Sequence, residues 1–113
     1  MSEDPDIKTE PPGPEARRIV ALDKATLATS TKCLPMVAES AEGSVVRDVD
    51  GNTYLDFASG ISVLNVGHRH PEVVRAVKDQ MDKLMHFAGT DFYYEAQVKL
   101  ARKLCQITPG DFD

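Results

Sequence analysis

Basic charge is scarce in this chain. Thirteen Lys and Arg stand against eighteen Asp and Glu, a formal net charge of −5, and the sequence pI is near 5.1. A nucleic-acid binder ordinarily needs a basic surface to neutralise phosphates, and a polybasic membrane-surface protein needs one against anionic lipid. Neither class is expected here. Long apolar runs are also missing, and none approaches the roughly 20 residues that span a bilayer. The N-terminus is acidic and Pro-rich rather than basic and then apolar, so no secretory signal is expected. Cysteine is nearly absent. Cys33 and Cys105 lie far apart and form no CxxC pair, which predicts two reduced thiols in a cytoplasmic protein rather than a disulfide framework.

What is present is ordinary for one small globular domain: 113 residues, 42% hydrophobic and 27% charged. Residues 1–13 carry Pro5, Pro11 and Pro12 and only Met1 and Ile7 as apolar side chains. Such a stretch buries too little surface to offset its ordering entropy and is expected to be a disordered tail. Residues 14–113 form the folded part. Pro14 suits the first turn of a helix, and the run to Ala25 is rich in helix formers. Thr26, Thr29, Ser30 and Thr31 then favour extended chain, and Pro35 disfavours helix through Leu34. Ser44–Val49 and Asn52–Phe57 flank Asp50-Gly51, a strong β-hairpin signal, because both turn residues tolerate positive φ. The Thr53, Leu55, Phe57 face of the second strand is the more apolar. A lone hairpin is marginal in water, so this one must pack on something else. Ala58–His70 reads as a loop. From Pro71, the residues Val73, Val74, Val77, Met81 and Leu84 make one apolar helical stripe, with Lys83 near the helix end. Asp91 is the expected N-cap of a second amphipathic helix, Phe92 to Gln106, bearing Tyr94, Val98, Ala101, Leu104 and Cys105 on one face. Thr108-Pro109-Gly110-Asp111 stops it.

Few residues here carry recognisable chemistry. His68 and His70 form an HxH pair able to share a metal, but no third ligand cluster stands near. The blander reading has His70 capping the open N–H end of the Pro71 helix. Ser59-Gly60 is not a nucleophile elbow, since Phe57 occupies the place of its first glycine. The two cysteines read as small apolar fillers. The scattered glycines form neither a phosphate loop nor a dinucleotide fingerprint. Asp48, Asp50 and Asp56 read as turn formers and solvated edge charges. Spacing and periodicity alone define an α+β or α/β fragment without a catalytic constellation.

A longer pattern adds more. Asp50-Gly51-Asn52-Thr53-Tyr54-Leu55-Asp56-Phe57-Ala58-Ser59-Gly60-Ile61, followed by Asn65-Val66-Gly67-His68-Arg69-His70-Pro71 and an amphipathic helix, resembles the N-terminal part of class III aminotransferases. These include the 4-aminobutyrate, ornithine and acetylornithine aminotransferases. The resemblance runs from about Leu34 to Asp113. It implies an α/β chain that is the N-terminal, small-domain segment of a fold type I pyridoxal-phosphate-dependent transferase, incomplete as a domain. The implied protein is a homodimer or a higher homo-oligomer. Its activity is a ping-pong transfer of an amino group from an amino acid to a 2-oxo acid such as 2-oxoglutarate. The phosphate loop, the partner of the pyridine nitrogen and the Schiff-base lysine would follow Asp113. Lys78, Lys83, Lys99 and Lys103 do not match that lysine, so the piece alone is expected to be inactive.

The same resemblance implies substrate-facing residues. Ile61, after Ser59-Gly60, stands where the family faces its substrate, and an aliphatic residue there is similar to the 4-aminobutyrate enzymes. Thr90 and Phe92 lie in a loop, His86–Tyr93, that in the family is near the active-site entrance. The run Thr90–Glu95 also resembles archaeal members, some of whose relatives are racemases, so racemase stands beside transaminase. A non-catalytic interaction module that kept the family's N-terminal fold is the further alternative. A severed segment should melt broadly, whereas a module should melt sharply.

Overall fold

The computed structural model describes residues 4–28, 32 and 34–111. The extended reading of Thr29, Ser30 and Thr31, and the role given to Cys33, lie outside the described residues. The chain divides into two compact units, Met1–Arg75 and Ala76–Asp113.

In the first unit, helix α1 (Pro14–Thr26) begins at the proline that fixes its first turn. The sheet has three antiparallel strands in the order β1-β2-β3: β1 (Ala38–Glu42), β2 (Val45–Asp48) and β3 (Thr53–Leu55). Only β2 and β3 were expected. β1 pairs Glu42 with Val45 and Ala41 with Val46 across a tight Gly43-Ser44 turn, with an irregularity between Ala38 and Ser40. Gly43 takes φ +57, a conformation glycine enters without a Cβ penalty. β1 is thus the packing partner that the hairpin required.

The β2–β3 connection differs from a two-residue hairpin. Strand β2 ends at Asp48 and β3 starts at Thr53, and only Gly51 of the Asp50-Gly51 pair has positive φ, at +85. The extra length is held by Asp48, whose Oδ1 accepts the amides of Asp50 (3.0 Å) and Asn52 (2.8 Å). The apolar face expected around Leu55 and Phe57 is exposed. Burial centres instead on Ala16, Val45 and Val46, together with Asp48 and Asn52.

Residues 1–13 were expected to form a tail, but from Asp4 onward this segment takes a definite course. Asp6 bridges Thr53 with two backbone hydrogen bonds, of 3.1 and 2.8 Å. The Thr9 amide donates to Asn52 Oδ1 at 2.6 Å. Composition missed this because the segment is ordered by polar backbone pairing rather than by apolar burial.

Ala58–His70, expected as loop, contains a four-residue turn, α2 (Ser59–Ser62). Helix α3 (Pro71–Met81) starts where the proline predicts but ends before Leu84 and Lys83. Helix α4 (Glu95–Ile107), in the second unit, begins three residues later than expected and has Tyr94, not Asp91, at its N-cap. Asp91 and Phe92 instead donate their amides to the Ala88 carbonyl in a turn of their own. Neither α3 nor α4 has a buried residue. Val77, for instance, is 51% exposed on the apolar stripe of α3. A chain with so small a core and two uncovered amphipathic helices is a partial domain.

Candidate functional site

The site rests on the β2–β3 turn. Asp48 is 2% exposed and Asn52 fully buried, and each satisfies the other. Asn52 Nδ2 donates to Asp48 Oδ2 at 2.9 Å, and the Tyr54 hydroxyl donates to the same oxygen at 2.9 Å. Burial pushes the Asp48 carboxyl up, but the donors of Asn52, Tyr54 and Asp50 outweigh it and hold the group below the usual carboxylate range. Asp50 turns the other way. Its two oxygens accept the amides of Glu15 (2.8 Å) and Ala16 (2.9 Å) at the start of α1. Gly13, the cap residue, has no side chain to do so. The expected edge charges are therefore a buried network and a helix cap supplied from a distant turn.

Beyond β3 the chain meets Asp56. Its Oδ1 accepts the amides of Ala58 (2.8 Å) and Ser59 (2.9 Å), while its Oδ2 lies 2.6 Å from His68 Nε2. The His68 bond, then the Ala58 amide, hold the Asp56 carboxyl below its ordinary range. His68 is itself anchored. Its amide donates to the Gly43 carbonyl at 2.8 Å, and its carbonyl accepts the Gly43 amide at 3.0 Å. Gly67 must be glycine in this geometry, with φ +87 and an added Cβ only 3.2 Å from the Gly43 backbone.

Between Asp56 and His68 the backbone turns left-handed. Ser59, Gly60, Ile61 and Ser62 have φ of 48, 61, 65 and 61°. At roughly 1–2 kcal/mol for each L-residue, the three non-glycine members store about 3–6 kcal/mol, which surrounding contacts must hold. The turn presents Ile61 to solvent at 90% exposure. Thr90 and Phe92 belong to the second unit. There the Phe92 ring lies 4.6 Å from that of Phe87, and the Phe87 amide donates to the Tyr94 hydroxyl.

Other expectations fare differently. His70 does not cap α3 with its ring: its Nδ1 is buried without a partner, and only its backbone carbonyl meets the helix, accepting Val74 N–H. Cys105 is exposed rather than filling a core. Among the described residues no group of three or more His, Cys, Asp or Glu is placed to hold a metal, and no helix is long and apolar enough to cross a membrane. The pair that sequence reasoning missed is Asp56 and His68. The two lie twelve residues apart, and no local spacing rule connects them.

This arrangement lies within a stretch that matches a known family. The family described as Aminotransferase class-III matches residues 26–113, and the chain belongs to that family. It is 50% identical over 78 residues to a 5-aminovalerate aminotransferase of Pseudomonas aeruginosa, covering 69% of this chain and 18% of that protein. It is 34% identical over 111 residues to an alanine/serine racemase of Pyrococcus horikoshii, covering 96% of this chain and 23% of that protein. Among solved structures, the acetylornithine aminotransferase of Elizabethkingia anophelis superposes with a TM-score of 0.76 at 31% identity, over 85% of this chain and 25% of that one. The chain thus spans about a fifth of the length of the curated relatives it matches.

Proposed function

We propose that this chain is the N-terminal segment of a pyridoxal-phosphate-dependent aminotransferase. The whole protein would move an amino group from an ω-amino acid, of the 4-aminobutyrate or ornithine kind, to a 2-oxo acid such as 2-oxoglutarate. It would act in the cytoplasm as a homodimer or higher homo-oligomer. The segment's own part is to build substrate-pocket wall, with Ile61 as the principal residue and Thr90 and Phe92 as the second contribution. One observation carries the reading. A strained left-handed turn is held by Asp56 so as to expose an isoleucine, and strain of this kind is kept where function needs it. An aliphatic wall suits the methylenes between the two polar ends of an ω-amino acid, by the hydrophobic effect. The 5-aminovalerate and 4-aminobutyrate aminotransferases among the relatives fit that donor class.

The described residues do not fit the cofactor by themselves. Lys99 is committed to Glu95 at 2.7 Å on an exposed helix face. A groove of about 640 Å³ has Lys24 and Lys32 at its side, but its lining among the described residues is mainly apolar (Ile19, Val20, Leu34, Met36 and Val37) and includes no glycine. Lys32 there pairs with Asp23. Nothing in it resembles a cradle of backbone amides for a phosphate. On this proposal the segment is inactive alone, and the cofactor site and its lysine belong to the rest of the protein.

The test is a donor panel on the protein purified from its source. With 2-oxoglutarate as acceptor, glutamate should form from 4-aminobutyrate, 5-aminovalerate or ornithine, and Ile61→Tyr should shift preference among these donors. Absence of glutamate formation with every ω-amino donor would sink the reading. A second reading, an amino-acid racemase, is favoured by the reach of the alignment. The Pyrococcus racemase matches 96% of this chain, whereas the Pseudomonas aminotransferase matches 69%. Appearance of D-alanine or D-serine from the L-forms without any 2-oxo acid would select it.

A further inference from the structure

We propose that Asp56 and His68 are positioning residues for substrate selection, acting through the Ser59–Ser62 turn to fix where Ile61 stands. This rests on the reading of Ile61 as pocket wall.

Ile61 cannot hold its own place, because it is 90% exposed and packs on almost nothing. Its neighbours Val63 and Val66 are exposed too. The hydrogen bonds inside the turn are all local: Ser62 N–H to Ala58, and Val63 and Leu64 N–H to Ser59. Local bonds close the turn but do not aim it. Two links aim it. At its entrance, Asp56 Oδ1 takes the amides of Ala58 and Ser59, fixing the direction from which the left-handed residues depart. From its other oxygen, Asp56 reaches His68 Nε2 at 2.6 Å, and His68 is tied in both directions to Gly43 at the end of the β1–β2 hairpin. One carboxylate thus joins the turn's entrance to the segment that follows it, and the sheet anchors both. The buried apolar residues Ala16, Val45 and Val46 are not part of this linkage, so loosening it should displace Ile61 while leaving the sheet intact.

The test uses the whole protein purified from its source. The readout is the ratio of kcat/KM for a longer over a shorter ω-amino donor, 5-aminovalerate over 4-aminobutyrate, with melting temperature recorded alongside. His68→Ala should change the ratio by about tenfold, the lower end of the roughly 10- to 200-fold that one methylene commands in an apolar pocket. His68→Gln, which restores an N–H donor to Asp56, should return it towards the parent value. Ile61→Ala is the control. If Ile61→Ala shifts the ratio and a folded His68→Ala does not, the positioning role is overturned while the pocket wall stands. If Ile61→Ala leaves the ratio unchanged, the pocket-wall reading fails and takes this proposal with it. Should His68→Ala not fold, Asp56→Ala is read the same way: it removes the acceptor of the two amides and the partner of His68 together. An unchanged ratio there equally overturns the proposal.

Discussion

Replacing Asp50 by alanine should unlatch the start of α1 and leave the sheet in place. The cap of this helix comes from 34 and 35 residues away, with two charged-acceptor hydrogen bonds at 2.8 and 2.9 Å to consecutive amides. Loss of an N-cap acceptor costs about 1 kcal/mol. Loss of a carboxylate from the positive end of a helix dipole costs roughly a further 0.3–1 kcal/mol. The partly buried setting places the total at about 2 kcal/mol, or roughly a 30-fold rise in local opening at 1.4 kcal/mol per decade. Asp50→Asn keeps one acceptor and loses the charge, so it should fall between the parent and Asp50→Ala. The assay is native-state amide hydrogen exchange read by NMR, following the Glu15 and Ala16 amides and using Val46 in β2 as the reference. Unchanged exchange at Glu15 and Ala16 would refute the reasoning. Equal acceleration at Val46 would refute it differently, since Asp50 would then be supporting the turn rather than capping the helix.

The same joint can be attacked from the other side. A Cβ added at Gly13 would lie 2.2 Å from Asp50 Cγ, so Gly13→Ala should destabilise the α1 dock by about 1–3 kcal/mol, as overpacking does; an unaltered urea midpoint would contradict this. Acid should break the Asp56 link only below the ordinary carboxylate range. Its folded pKa lies below the unfolded value of about 3.9 because His68 and then the Ala58 amide bond its charged form. Its contribution is therefore complete above the unfolded range and is lost as pH falls through the lower, folded value. A carboxyl 13C titration of Asp56 with a midpoint at or above the unfolded value would show that the bonds do not form.

Helix starts were the most legible feature, because Pro14 and Pro71 each fix a first turn and both stand where their helices begin. The start of α4 was not. Asp91 is a reasonable cap by residue type, but the Phe87–Phe92 ring contact and the Phe87–Tyr94 bond hold that stretch as a separate turn. Strand β1, Ala-Glu-Ser-Ala-Glu, has no β-branched or aromatic residue. Its conformation comes from pairing with β2, which propensity does not report. The left-handed turn is equally silent, since of Ser59, Gly60, Ile61 and Ser62 only the glycine hints at positive φ. The resemblance singles out Ile61, whereas the pairing of Asp56 with His68 is hidden in plain view. Residue type and spacing make Asp56 an edge charge and give His68 no partner beyond a poorly supported metal pair with His70, because the meeting of Asp56 and His68 depends on where Gly43 sits in space.

The β2–β3 turn also has a consequence for anyone tagging or splicing this protein. Hairpin tips are the usual places to tolerate a graft, being exposed and polar. Here, within five positions, Asp48 braces the turn itself, Asp50 grips a helix and Asn52 receives the N-terminal segment. An epitope inserted between Asp50 and Gly51 would part three pieces of chain at once. By this logic the most graft-like site in the sequence is the one that the fold is least able to give up.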